Sequence, residues 1–124
     1  MRNNKFALVV PNNRLLKCWA AYVDNFKLFK IELDRIKLFV VDDFSPYIQE
    51  NMKLLEREGI PFEYWTVNQQ IDFFKQNFAS DHEKYWSVIP HKSDACRSFG
   101  YLVAGLWGAD VIVTFDDDNY PLSG

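Results

Sequence analysis

From one end of this chain to the other, short apolar runs alternate with stretches whose apolar residues recur every three or four positions. This alternation constrains the fold more than any other feature, because strands separated by helices join one sheet in parallel, with the helices crossing over its faces. Residues 5–10 form the first run, and Pro11 with Asn12 and Asn13 is expected to break it. Leu16, Trp19, Ala20, Val23 and Phe26 then share one helical face. Residues 36–41 are apolar except for Lys37, as in a strand covered on both sides. Pro46 suits the first turn of a second helix bearing Ile48, Met52 and Leu55, and Gly59 ends it.

Residues 62–67 read as a third strand, after which Asn68 is expected to cap a short helix carrying Ile71, Phe74 and Phe78. Residues 79–91 are polar and irregular, the composition of a lid or binding loop. Ser93 is expected to cap the last helix, with Ala95, Phe99, Leu102, Val103 and Leu106 on one face and Gly108 in the left-handed position at its end. Gly100 and Gly105 inside that helix imply close packing on the sheet, since each weakens a helix by about 1 kcal/mol relative to alanine. Residues 111–115 are the fourth strand, and they run directly into Asp116-Asp117-Asp118. The expected fold is therefore α/β, a Rossmann-like parallel sheet with flanking helices and strand order 3-2-1-4.

A chain of 124 residues is enough for one packed unit, so residues 1–124 are read as a single domain. A net charge of -3 gives no electrostatic footprint for nucleic acid, and no lysine-arginine stripe marks a membrane surface. The apolar run Phe6 to Val10 is too short for the core of a signal peptide, and no transmembrane segment is expected, so the sequence reads as cytoplasmic. Cys18 and Cys96 fall in predicted helices without metal-ligand spacing and read as buried, reduced thiols; His82 and His91 read as surface residues.

In a parallel sheet, ligands bind beyond the carboxyl ends of the strands, where each crossover helix also begins. Pro11 to Arg14, Asp42-Asp43, the helix start carrying Lys92 and Arg97, and Asp116 to Asp118 all map to that edge. A helix from residue 94 to 107 covers roughly 21 Å at about 1.5 Å per residue, and a five-residue strand returns roughly 17 Å. Helix start and aspartates are then neighbours. Three adjacent carboxylates repel one another, so one is protonated or a cation lies between them. Oxygen ligands favour Mn2+ or Mg2+, with Asp116 and Asp118 as the metal ligands and Asp117 on metal or ribose. Lys92 and Arg97 at a helix start suit a diphosphate. Asp42 or Asp43 suits a base or ribose hydroxyl, one of them otherwise capping the next helix, and Pro11, Asn12 and Arg14 would wall the nucleotide pocket.

The run Lys92-Ser93-Asp94-Ala95-Cys96-Arg97-Ser98-Phe99-Gly100-Tyr101, followed after one strand by Asp116-Asp117-Asp118, resembles the reversibly glycosylated polypeptides, the UDP-arabinopyranose mutase family. Val9-Val10-Pro11-Asn12-Asn13-Arg14 and Val40-Val41-Asp42-Asp43-Phe44-Ser45-Pro46 are similar to nucleotide-binding segments of inverting A-type glycosyltransferases. The broad likeness covers nearly the whole chain and the narrow one about its last quarter. Ser93 and Asp94 stand in swapped order relative to the narrow family, and its downstream half, with the arginine that becomes glycosylated, has no counterpart. The resemblance implies the nucleotide-binding half of the A-type glycosyltransferase fold, with manganese and a UDP-sugar donor held by the aspartates and Arg97. It implies a glycosyltransferase or a fragment of one, whose acceptor side, for an unknown acceptor, is supplied by missing sequence or by a partner chain. Two alternatives are a non-catalytic nucleotide-sugar-binding subunit and a haloacid-dehalogenase-like phosphotransferase using Asp116 and Asp118.

Overall fold

A computed structural model of the chain describes residues 4–78 and 97–117, the side chains of Phe78 and Arg97 excepted. Four strands form one sheet: β1 (Phe6–Asn12), β2 (Ile36–Asp42), β3 (Phe62–Trp65) and β4 (Val111–Thr114). Their order is β3-β2-β1-β4, and every pairing is parallel, as the alternation of patterns requires. Among the described residues the helices are α1 (Trp19–Leu28), α2 (Ile48–Glu58), α3 (Val67–Phe78) and α4 (Arg97–Trp107), with a 3-10 turn, Leu33–Arg35, leading into β2.

Alternate residues of the central strands feed two cores. Leu8, Val10, Leu38 and Val40 pack with Trp19, Val23 and Leu55 from α1 and α2. Ala7, Val9, Phe39 and Val41 pack with Phe74 of α3 and with Phe99, Val103 and Ala104 of α4. This period of two explains why β1 and β2 read as unbroken apolar runs, since both faces are covered. Gly100 permits the close approach of α4: an added Cβ would overlap Val9 Cγ1 and lie 3.1 Å from Val41 Cγ2. Gly105 has no such role, because a Cβ there meets nothing within 4 Å. Gly59 and Gly108 take left-handed φ values of 76° and 92° at the ends of α2 and α4, as their positions in the sequence suggest.

Three boundaries differ from expectation. Pro11 does not break β1, which continues to Asn12. The Val9 carbonyl accepts from the Phe115 N–H, so odd-numbered residues of β1 face β4. Proline's missing donor therefore falls where the β4 ladder, ending at Thr114, has already stopped. The third strand ends at Trp65, and Val67 begins a twelve-residue helix. Thr66, not Asn68, caps it: Gln69 N–H donates to Thr66 Oγ1 at 3.2 Å and Thr66 N–H to Gln69 Oε1 at 3.0 Å, a reciprocal capping box. The fourth strand is an edge strand and is not buried; Val111, Ile112 and Val113 are 41%, 37% and 48% exposed. No helix among the described residues is long and apolar enough to cross a membrane.

Candidate functional site

Beyond the carboxyl ends of the strands, three acidic or amide-bearing turns meet around the end of β1. Asn12 pairs in register with Asp42, and the Asp43 N–H donates to the Asn12 carbonyl at 2.8 Å. On the other flank, the Asn13 N–H donates to Asp117 Oδ2 at 3.1 Å. Two consecutive residues of one loop thus tie the turn after β2 to the turn after β4.

The two aspartates after β2 have different surroundings. Both oxygens of Asp42 are engaged inside the fold: Tyr64 Oη–H donates to Oδ1 at 2.8 Å and the Ser45 N–H to Oδ2 at 3.2 Å. Burial pushes the Asp42 carboxyl above its ordinary value, against the opposing bonds from Tyr64 and the Ser45 and Phe44 N–H groups, while the Asp43 charge adds to the rise. Burial likewise pushes the Tyr64 hydroxyl upward, with its bond to Asp42 adding to the rise. Asp43 is only 5% exposed, and its Oδ1 has no hydrogen-bond partner among the described residues. A buried acceptor without a donor costs about 1–3 kcal/mol.

Tyr64 is the hub of a buried polar network. Its hydroxyl accepts from Asn51 Nδ2 at 3.3 Å and from Asn12 Nδ2 at 3.5 Å. Asn51, fully buried, also accepts from the Leu16 N–H at 2.8 Å and donates to the Arg14 carbonyl at 2.9 Å. The β1–α1 loop is therefore fastened to α2 through one side chain. Gln70 fastens the next loop, its Nε2 donating to the carbonyls of Asp42 and Trp65 at 2.9 Å each.

Arg14 and Asp117 form an ion pair, Nε to Oδ1 at 3.1 Å, with the arginine side chain 53% exposed and the carboxylate nearly buried. Cys18, a buried free thiol just before α1, donates from Sγ to the Asp117 carbonyl at 3.3 Å. Asp117 is thus held by a cation and a main-chain N–H, and it holds the guanidinium at the sheet edge in return. Asp116 is half-buried. Burial, then the charges of Cys18 and Asp116, raise the Tyr22 hydroxyl above its ordinary value of 10.0.

Of the residues singled out from sequence, Pro11, Asn12, Arg14, Asp42, Asp43, Asp116 and Asp117 are brought to one edge. Pro11, Asn12 and Asp42 are built into strands, and the side chains of Asn12 and Asp42 serve the internal network. Lys92, Asp118 and the Arg97 side chain lie outside the described residues, as do Ser93, Cys96, His82 and His91. Among the described residues no three acidic, histidine or cysteine side chains form a metal cage.

Sequence reasoning passed over Phe44. It is a non-glycine residue at φ 61°, with its side chain 54% exposed, directly after Asp43. A bulky residue in the left-handed region costs about 1–2 kcal/mol, and such outliers gather at ligand-facing turns. Asn51, Tyr64 and Gln70 were also silent in the sequence, since nothing local marks a buried polar hub. Compared with protein-family models and with curated proteins, the chain matches none of them.

Proposed function

We propose that this chain is the nucleotide-diphospho-sugar-binding part of a glycosyltransferase-type enzyme, taking a UDP-like donor with a divalent metal. The observation that carries this reading is the buried Oδ1 of Asp43, without a hydrogen-bond partner among the described residues, at the carboxyl edge of a parallel sheet. A uracil ring presents an imide N–H that a carboxylate accepts from, and ligands of open parallel sheets lie at that edge. Arg14, anchored through Nε by Asp117, supplies a positioned cation for the diphosphate. Phe44 offers an exposed aromatic face next to Asp43.

The donor set suits a hard dication only in part. Asp117 is already paired with Arg14, so the ligands proposed for the metal are Asp116 and, two positions on in the sequence, Asp118. Mn2+ or Mg2+ held there would neutralise the departing diphosphate. The chain's own residues bind and orient the donor: Asp43 reads the base, Arg14 steers the phosphates, and the Asn12-Tyr64-Asn51 network keeps the loop carrying Arg14 in place.

The acceptor side belongs, on this reading, to further polypeptide packed against β4. What supports it is the apolar exposure of Val111, Ile112 and Val113 together with Leu106, which is 69% exposed. The phosphotransferase alternative draws no support from an edge position of the strand that precedes Asp116.

Calorimetric titration of UDP and UDP-sugars, with and without Mn2+, tests the reading. UDP is expected to bind in a metal-dependent way, with Asp118→Ala removing the metal dependence. Asp43→Asn is expected to weaken UDP by tenfold or more, the size of one hydrogen bond to a charged group at about 1.5–3 kcal/mol. Absence of UDP binding in both conditions, or full affinity in Asp43→Asn, refutes it.

A further inference from the structure

The far edge of the sheet carries a second concave surface, which shares Tyr64 with the network at the carboxyl edge. β3 is the terminal strand, and α3 returns beside it to leave a cavity of ≈ 410 Å³ between them. From the helix, Gln69, Asp72, Phe73 and Gln76 line it, positions that share one helical face. From the strand come Glu63, Tyr64 and Trp65. The floor is aromatic and rigid: Trp65 and Phe73 meet edge to face at 5.8 Å, and both contact Phe99.

Among the described residues, the main chain of β3 is half used. The Leu38 N–H donates to the Pro61 carbonyl, and Leu38 and Val40 pair with Phe62 and Tyr64 in register. In a parallel ladder this directs the N–H and C=O of Glu63 toward β2 and those of Phe62 and Tyr64 outward, into the groove side. An outward-facing row of donors and acceptors next to a helix-walled groove is the geometry by which extended peptides add to a sheet.

The charge of the groove selects the peptide. Among the described residues its lining holds two carboxylates and no cation. Glu63 is engaged by Lys37 of β2 and accepts from Trp65 Nε1–H at 2.9 Å, so the carboxylate presented to a ligand is the exposed Asp72. Gln69 and Gln76 flank it one helical turn to either side and add amide donors and acceptors.

We propose that the β3–α3 groove docks an extended polypeptide segment bearing lysine or arginine, which adds to β3 as a fifth strand. One set of its alternating side chains rests on Trp65 and Phe73, and a cationic side chain meets Asp72. The segment needs about four to six residues to match a four-residue strand.

The test uses the full chain labelled with 15N and an eight-residue probe peptide of alternating valine and lysine. Amide shifts are expected to concentrate at residues 62–65 and 69–76, with slowed exchange of the Phe62 and Tyr64 N–H groups. A valine-glutamate peptide is expected to bind at least tenfold more weakly, and Asp72→Lys, at an exposed position, to reverse that preference. N-methylation of alternate peptide bonds in the probe is expected to abolish binding, which simple attraction to an acidic protein would survive. No binding at millimolar probe, shifts confined to other surfaces, equal binding of both peptides, or indifference to N-methylation overturns the proposal. UDP affinity plays no part in any of these readouts, so the outcome is separate from that of the nucleotide titration.

Discussion

Two glycines in one helix give a matched pair of substitutions whose effects should have opposite signs. Gly100→Ala places a methyl group against Val9 Cγ1 and 3.1 Å from Val41 Cγ2, both in strands whose main chain is fixed on two sides. Val9 and Val41 are fully buried, so neither has room to turn away. Overpacking of this kind costs about 1–3 kcal/mol. The replacement also returns about 1 kcal/mol of helix propensity, leaving a net loss of up to about 2 kcal/mol. Gly105→Ala gains the same propensity with nothing within 4 Å of the new carbon, so it should stabilise by a few tenths to about 1 kcal/mol. Urea unfolding of the parent and both variants measures the two free energies. The expected gap is about 2 kcal/mol, or several degrees in Tm. If both alanines stabilise equally, α4 does not lie on β1 and β2 as described, and the account of how the helix is seated on the sheet fails.

Asn51→Ala should lower stability by roughly 2–4 kcal/mol, because it strands the buried Leu16 N–H and removes a partner of Tyr64. Faster amide exchange across residues 14–17 would show that the β1–α1 loop has come loose, and unchanged exchange there would count against the fastening role. Asp42→Asn should change how stability depends on pH. The folded carboxyl sits above its ordinary value of 3.8, chiefly through burial, so the folded state holds the proton more tightly than the unfolded chain. The parent therefore gains stability as pH falls from the raised value toward 3.8, and the variant lacks that gain. Urea melts across acid pH should show the parent improving relative to the variant in that window, while the difference stays flat above it. Phe44→Gly should stabilise the fold by about 1 kcal/mol by relieving the left-handed φ, yet weaken UDP severalfold in calorimetry. Unchanged affinity would show that the exposed ring serves no ligand.

Periodicity made the architecture legible. Strand order, the parallel sense and the left-handed glycines ending α2 and α4 follow from patterns of two and of three to four, together with the rule that crossovers run one way around a sheet. Boundaries were harder to read, for reasons the pairing supplies. Pro11 breaks only the side of β1 that faces β4, and no local signal says which side that is. Thr66 caps α3 through its box with Gln69, two residues before Asn68, the cap expected from sequence. β4 is apolar yet exposed because it lies at the end of the sheet, the place that the expected strand order already gives it.

The site divides along the same line. That aspartates gather at the carboxyl edge was visible from the alternation of elements, but the division of labour between Asp42 and Asp43 depends on Tyr64, which arrives from another strand. The charge of the aspartate run is altered in the same way by a distant residue. From sequence, adjacent carboxylates emerging from an apolar strand demand a dication or a proton. In the structure Arg14, from the first loop of the chain, neutralises Asp117, and the Asn13 N–H adds a second contact. One guanidinium carries one charge, so Arg14 answers for one carboxylate of the run. The repulsion that first suggested a metal is therefore weaker than three bare charges would give. On the proposed reading, a metal at this edge would gain its stability less from relieving the aspartates than from the phosphate oxygens a ligand brings, and its affinity is expected to rise steeply when UDP is present.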